Sequence, residues 1–153
     1  MGLTVRKARK EDAYIIGTMA YSSFNENNLK DLDIETDYNK GFSLIVEKIN
    51  EGLVYVGEDQ GTVIGVLGLT ISELWFSKKE FLACFLLFIR PDKRLKSIKL
   101  IKELLRTALS EQNKQLLLDL FVLKDYEKKR KLFLALGFRD CGTYLLLDKN
   151  KEI

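Results

Sequence analysis

Histidine is missing from all 153 residues. That excludes His-dependent triads, Cys–His nucleophiles and nearly all zinc constellations. Chemistry must then run on carboxylates, hydroxyls, backbone groups or a co-substrate that brings its own reactivity, and no metal is expected. There are only two cysteines, Cys84 and Cys141, too few for a disulfide framework, so a reducing cytoplasm is the expected compartment. Cys84 lies within an apolar run, where thiols are inert, which argues against a nucleophile. The longest apolar run, residues 81–89, is far too short to span a bilayer and reads as a buried strand, so no membrane partner is expected. The basic N-terminal stretch with Arg6, Lys7, Arg9 and Lys10 has no apolar segment after it, so no secretory signal is read.

What is present describes one ordinary globular domain over residues 1–153. Hydrophobic residues make up 46% and charged residues 31%, enough to build a core and too apolar for disorder. The net charge of +3 is small, and no basic cluster is interleaved with exposed aromatics, so nucleic acid is not an expected partner. The run Lys124, Lys128, Lys129, Arg130 and Lys131 is broken by Asp125 and Glu127 and reads as a solvated helix face.

The chain alternates between the two periods. Residues 3–6 predict a strand, and Lys10-Glu11-Asp12 opens a helix to about Phe24 with Ile15, Ile16, Met19 and Ala20 inside. The acidic segment with Glu26, Asp31, Asp33, Glu35 and Asp37 reads as a loop. Thr36 then caps a helix with Phe42, Ile45, Val46 and Ile49 on one face, ended by Gly52. Residues 53–57 and 62–71 flank a Gly-containing hairpin turn. A connection carries Trp75 and Phe76, which form an interface, as in a homodimer, or line a substrate cleft. The strand over 81–89 follows. Next comes a helix burying Ile98, Ile101, Leu105, Ala108 and Leu109, then a strand over 115–122 and a helix over 127–136 with Gly137 at its C-cap. Phe138 and residues 143–147 supply a final strand or pair. The order is β-α-α-β-β-β-α-β-α-β: an α/β three-layer sandwich, its mixed, mostly antiparallel sheet of six or seven strands covered by about four helices.

The junction after Ile89 is the richest stretch. A strand stops, the only proline, Pro91, follows, and a basic turn leads into an amphipathic helix. A helix's first N–H groups lack intrahelical partners and attract anions. Lys93, Arg94, Lys96 and Lys99 crowd that junction, where cations are unfavourable on dipole grounds alone. A polyanion among them accounts for the arrangement, and a solvated basic turn is the plainer reading.

The order of elements and two patterns resemble the GNAT superfamily of acyl-CoA N-acyltransferases. In the family's V-x-P-x-x-R-x-x-G-x-G/A pattern, Ile89, Pro91 and Arg94 take the hydrophobic, proline and arginine positions. Ser97 and Lys99 stand on its two glycine positions, a rebuilt pyrophosphate loop like that of some viral and other divergent members. In the late A-x-x-x-Y-x-x-x-G-F signature the helix length and Gly137-Phe138 match. Phe133 replaces a tyrosine that acts as general acid in many members, and Tyr126 replaces an asparagine that contacts the cofactor arm.

The resemblance implies an N-acetyltransferase that moves an acetyl group from acetyl-CoA to a primary amine by direct attack on the thioester. It implies cofactor contacts from Leu87, Phe88 and Ile89 at the strand end and from Arg94, Leu95, Lys96, Ser97, Ile98 and Lys99 in the turn, with Phe133 as a wall for the pantetheine arm. Glu80 is the first candidate for the base and Glu73 the second; Tyr126 and Tyr144 are candidate acids. The acceptor is an amine on a small molecule or a protein, and carboxylates of the acidic segment suit a cationic one. The alternative is a GNAT-fold module that binds acyl-CoA or a protein partner without turnover.

Overall fold

A computed structural model of the chain describes residues 2–27, 29, 32, 34–119 and 125–142. The chain divides into two compact units, Met1–Asp119 and Leu120–Ile153.

The first unit carries one sheet in the order β1-β2-β3-β4-β5: β1 (Leu3–Lys7), β2 (Val54–Asp59), β3 (Thr62–Glu73), β4 (Glu80–Ile89) and β5 (Leu116–Leu118). The first four pair antiparallel, and β5 joins β4 parallel. The β2–β3 hairpin closes through Gln60 (φ 52°) and Gly61 (φ 78°). Two successive left-handed residues match the strand twist, as in a type I′ turn.

Helices cover both faces. On one side α1 (Ala13–Glu26) and α2 (Tyr38–Asn50) press Ile16, Met19, Ala20, Ile45 and Ile49 onto Val54, Val56, Val66, Leu86 and Phe88. Phe42 of α2 sits at 3.1 Å from where a Cβ on Gly17 would lie, and Phe24 of α1 comes as near as 3.7 Å to the same position on Gly41. These reciprocal ring-on-glycine contacts bring the two helices close together. On the other side α3 (Ser97–Gln112) buries Leu100, Ile101, Leu104, Leu105 and Ala108. Its far end is anchored by buried Tyr55, whose hydroxyl donates to Glu111 Oε2 at 2.9 Å and accepts from Gln112 Nε2 at 2.9 Å. Burial pushes that phenol up to about 12.

Several expectations are corrected. Asp37, not Thr36, caps α2, accepting from Lys40 N–H at 2.9 Å; the carboxylate one residue later meets the first free N–H groups. Ile15 lies at the edge of the α1 stripe and Phe42 at that of α2, both partly exposed. Ile98 and Leu109 are exposed. Leu100 fixes the rotation of α3, and at about 100° per residue both positions come round to nearly the opposite side. The sheet has five strands among the described residues, against the six or seven expected, and the final strand over 143–147 lies outside them.

In the second unit, α4 (Tyr126–Ala135) ends at Gly137 (φ 101°). Gly137 N–H bonds Leu134 O and Phe138 N–H bonds Phe133 O, each at 3.0 Å. The Phe133 and Phe138 rings meet edge-on at 5.4 Å. This is the Schellman closure with its apolar contact. It corrects the expectation for Phe138, which caps a helix where a strand was predicted: its N–H is already spent on the helix end.

Candidate active site

The central feature is β4, above all its C-terminal half. β5 pairs with it only through Leu82–Leu116, Ala83–Leu117 and Cys84–Leu118. Beyond Cys84 that edge of β4 has no strand partner among the described residues. There the strand also bulges: Gly68 faces Leu86 and Leu69 faces Cys84, so Phe85 is the extra residue. An extra residue bends the strand and re-aims its backbone groups. Gly68 permits it, because a Cβ there would lie 2.6 Å from the Phe85 ring.

Past the bulge, Arg90 N–H bonds Ile64 O of β3 at 2.8 Å. In an antiparallel ladder backbone direction alternates residue by residue, so Phe88 also faces β3 while Leu87 and Ile89 turn their N–H groups away from it. Phe88 and Ile89 are buried and Leu87 is half-buried. The three strand-end residues thus follow the bulge directly, with Leu87 and Ile89 facing away from β3.

The chain then enters a 3-10 turn, Pro91–Lys96, and α3 starts at Ser97. The helix N-terminus is held against the sheet because Leu100 occupies the space above Gly57 and Gly65. A Cβ would come within 2.3 Å of Leu100 at Gly57 and within 2.9 Å of it at Gly65. The open edge of β4 and the first N–H groups of α3 therefore follow each other directly, with the basic turn between them.

The cations of that turn are not free. Lys96 Nζ lies 2.7 Å from Asp59 Oδ2, and Lys93 Nζ lies 3.8 Å from the same oxygen. Lys96, and then Lys93, hold this nearly buried carboxyl below the usual range, and its Oδ1 has no hydrogen-bond partner. Arg94 Nη2 donates to both oxygens of Glu26 at 2.8 Å, and Arg90 pairs with Asp92 at 3.1 Å. Lys99 forms no ion pair among the described residues. Leu95 and Ile98 point into solvent. Of the acidic segment, Glu26 is thus committed to Arg94 and Asp37 to the α2 cap, while Asp31 and Asp33 lie outside the described residues.

Glu80 opens β4 at the opposite end of the strand. It faces Glu73 across the ladder and pairs with Lys114 at 3.5 Å, which offsets the like-charge contact. Five residues of strand separate it from Phe85, about 17 Å. Cys84 is half-buried and burial pushes its thiol up to about 12, which keeps it protonated. In the second unit Tyr126 begins α4 and is exposed; Glu127 beside it raises its phenol. Phe133 is buried. Tyr144 lies outside the described residues. Among those residues no cluster of three metal-ligating side chains is present, and no helix is long and apolar enough to cross a membrane.

Sequence reasoning missed Asp59 and Glu26 as partners of the turn, and the bulge at Phe85. The glycines gave a usable signal for the bulge: Gly57, Gly65 and Gly68 interrupt strands, where an isolated glycine marks a bulge or a close approach.

No family model matches this sequence, and no curated protein does. Solved structures do resemble it. A GCN5-related N-acetyltransferase from Ralstonia eutropha JMP134 superposes with a TM-score of 0.69 at 16% identity, over 99% of each chain. A "predicted acetyltransferase" from Clostridium acetobutylicum, solved with acetyl-CoA, gives 0.66 at 16%, over 95% of this chain and 96% of that one. The aminoglycoside N-acetyltransferase AAC(6')-Iy, in complex with a CoA-based bisubstrate analogue, gives 0.73 at 12%, over 99% and 100%. The chain has the GNAT fold. Within that fold, the β4 end over Leu87, Phe88 and Ile89 and the turn into α3 are the elements the resemblance assigned to an acyl-CoA.

Proposed function

We propose that the chain, over residues 1–153, is an acyl-CoA-dependent N-acetyltransferase that moves an acetyl group from acetyl-CoA to a primary amine. The observation that carries this reading is the bulge at Phe85, after which Leu87 and Ile89 aim their N–H groups away from β3, directly ahead of the basic turn and the α3 N-terminus. When bound, acetyl-CoA supplies the activated acyl group, which suits a chain without histidine.

The residues divide the remaining work. Leu87 and Ile89 offer outward N–H groups to the pantetheine arm and the thioester carbonyl, a one-donor oxyanion site. The N–H groups at the start of α3, with Ser97 and Lys99, face the pyrophosphate. Arg94 and Lys96 join by exchanging their own carboxylates for phosphate. Exposed ion pairs are worth about 0–1 kcal/mol, so the Arg94–Glu26 pair is no barrier. Lys93, 3.8 Å from Asp59, stays with that carboxyl when Lys96 leaves. Leu95 and Ile98 give the cofactor an apolar flank, and Phe133 is assigned to the pantetheine wall. Glu80 is assigned as base for the incoming ammonium; seven residues of strand, about 23 Å, separate it from Leu87, so the assignment requires a chain of several waters rather than direct contact. Tyr126, with its raised phenol, is assigned as the acid that returns a proton to the leaving thiolate. An aminosugar is the first acceptor class to try. AAC(6')-Iy and a metagenomic aminoglycoside acetyltransferase in complex with sisomicin share the fold.

The test is release of free thiol from acetyl-CoA over a panel of aminoglycosides, polyamines and lysine peptides. Turnover that Glu80→Gln lowers at least about tenfold, with acetyl-CoA affinity unchanged, supports the assignment. Acetyl-CoA binding without turnover on any amine favours the binding-module reading, which the internal pairing of Lys96 and Arg94 also suits.

A further inference from the structure

At the end of the sheet away from the turn, β3 and β4 are joined by residues 74–79. Ser77 N–H bonds Leu74 O at 3.0 Å, so Trp75 and Phe76 hold the two central positions of a β-turn. Those positions normally carry proline, glycine, asparagine or aspartate. Here Trp75 is 96% exposed and Phe76 68% exposed, their rings edge-on at 5.3 Å. Leu74, which opens the turn, and Ile71 of β3 are also exposed. Lys78 and Lys79 follow at once in the chain, and Ser77 Oγ accepts from Lys79 N–H at 3.1 Å. Lys79 Nζ stands 5.2 Å from the Phe81 ring, and Lys78 has no ion pair among the described residues. At the base, Glu80 is paired with Lys114, and Glu73 is the remaining carboxylate.

We infer that this hairpin tip is a docking element for an anionic lipid surface. A tryptophan and a phenylalanine at the apex of a protruding turn match the chemistry of the membrane interface, where amphipathic rings settle at headgroup depth. The two lysines behind them supply the complementary charge for acidic headgroups. The geometry disfavours a second protein as occupant. Two aromatic side chains bury about 150–250 Å² each, well short of the roughly 800 Å² per partner of a stable protein interface. Such a contact is peripheral and needs no membrane-spanning helix.

Trp75 is the only tryptophan in the chain, so its fluorescence reads this site alone. The full chain is titrated with vesicles of phosphatidylcholine and with vesicles containing phosphatidylglycerol, followed by co-sedimentation. The expected result is a blue shift and sedimentation on the anionic vesicles only. Lys78→Gln/Lys79→Gln weakens both at least about tenfold. Trp75→Ser/Phe76→Ser abolishes sedimentation while the far-ultraviolet circular dichroism stays unchanged. An unshifted spectrum without sedimentation overturns the inference. So does equal binding to neutral vesicles, or a blue shift that grows with protein concentration in the absence of lipid, which would mark self-association.

Discussion

At the residue scale, the glycines beneath α3 carry a strong constraint. Leu100 fills the space above Gly57 and Gly65 and is itself completely buried, so a methyl group added at Gly57 has nowhere to go. Gly57→Ala is expected to destabilise the fold by about 1–3 kcal/mol, the usual cost of overpacking, read as a lower midpoint in urea unfolding. Leu100→Ala in the same chain should recover part of that loss. A second constraint is electrostatic. Asp12 accepts from Arg6 at 2.7 and 3.0 Å and from Arg9 N–H at 2.7 Å. Arg6, which also bonds Glu58, holds this carboxyl below its ordinary value of 3.8. A depressed carboxyl contributes stability that is complete above the unfolded-state value and is lost as pH falls through the folded one. Asp12→Asn should therefore lower stability at neutral pH and flatten the acid limb of the stability–pH curve. The contacts of Leu100 with Gly57 and Gly65, and the bond from Arg6 to Glu58, did not follow from residue patterns, because each joins positions far apart in the chain.

At the element scale, most of the fold was legible. Helices and strands announce themselves by local period, and hairpins by local turn chemistry; the order through α4 was read correctly for that reason. What was misread depends on tertiary phase. Ile98 and Leu109 fit the α3 stripe as well as Leu100 and Leu104 do, and only the glycine surface beneath the helix decides between them. The α2 cap was ambiguous in the same way, with Thr36 and Asp37 adjacent. The structure gives a clear expectation: Asp37→Ala costs about 1 kcal/mol of stability, whereas Thr36→Ala leaves the thermal midpoint unchanged. Gly137→Ala should destabilise α4 in turn, since its φ of 101° is one that a side chain strains.

At the scale of the whole molecule, the site is an arrangement of edges and ends. A strand end, a proline turn and a helix start fall in sequence order, and their apposition was legible as a motif, unlike the bulge at Phe85. Nor were the ion pairs that hold the turn. The pair Lys96–Asp59 spans 37 positions and Arg94–Glu26 spans 68, and no local pattern encodes which carboxylates arrive beside a basic turn. Those pairs also define how the site should answer to a polyanion: binding weakens with salt, and Lys99, with no ion pair among the described residues, contributes from the first contact.

The most direct measurement is calorimetric titration of the full chain with acetyl-CoA and with free CoA, beside the Lys96→Ala/Lys99→Ala variant. The native chain is expected to bind both ligands at micromolar concentration, and the variant to lose that binding. No binding by the native chain, or equal binding by the variant, would contradict it.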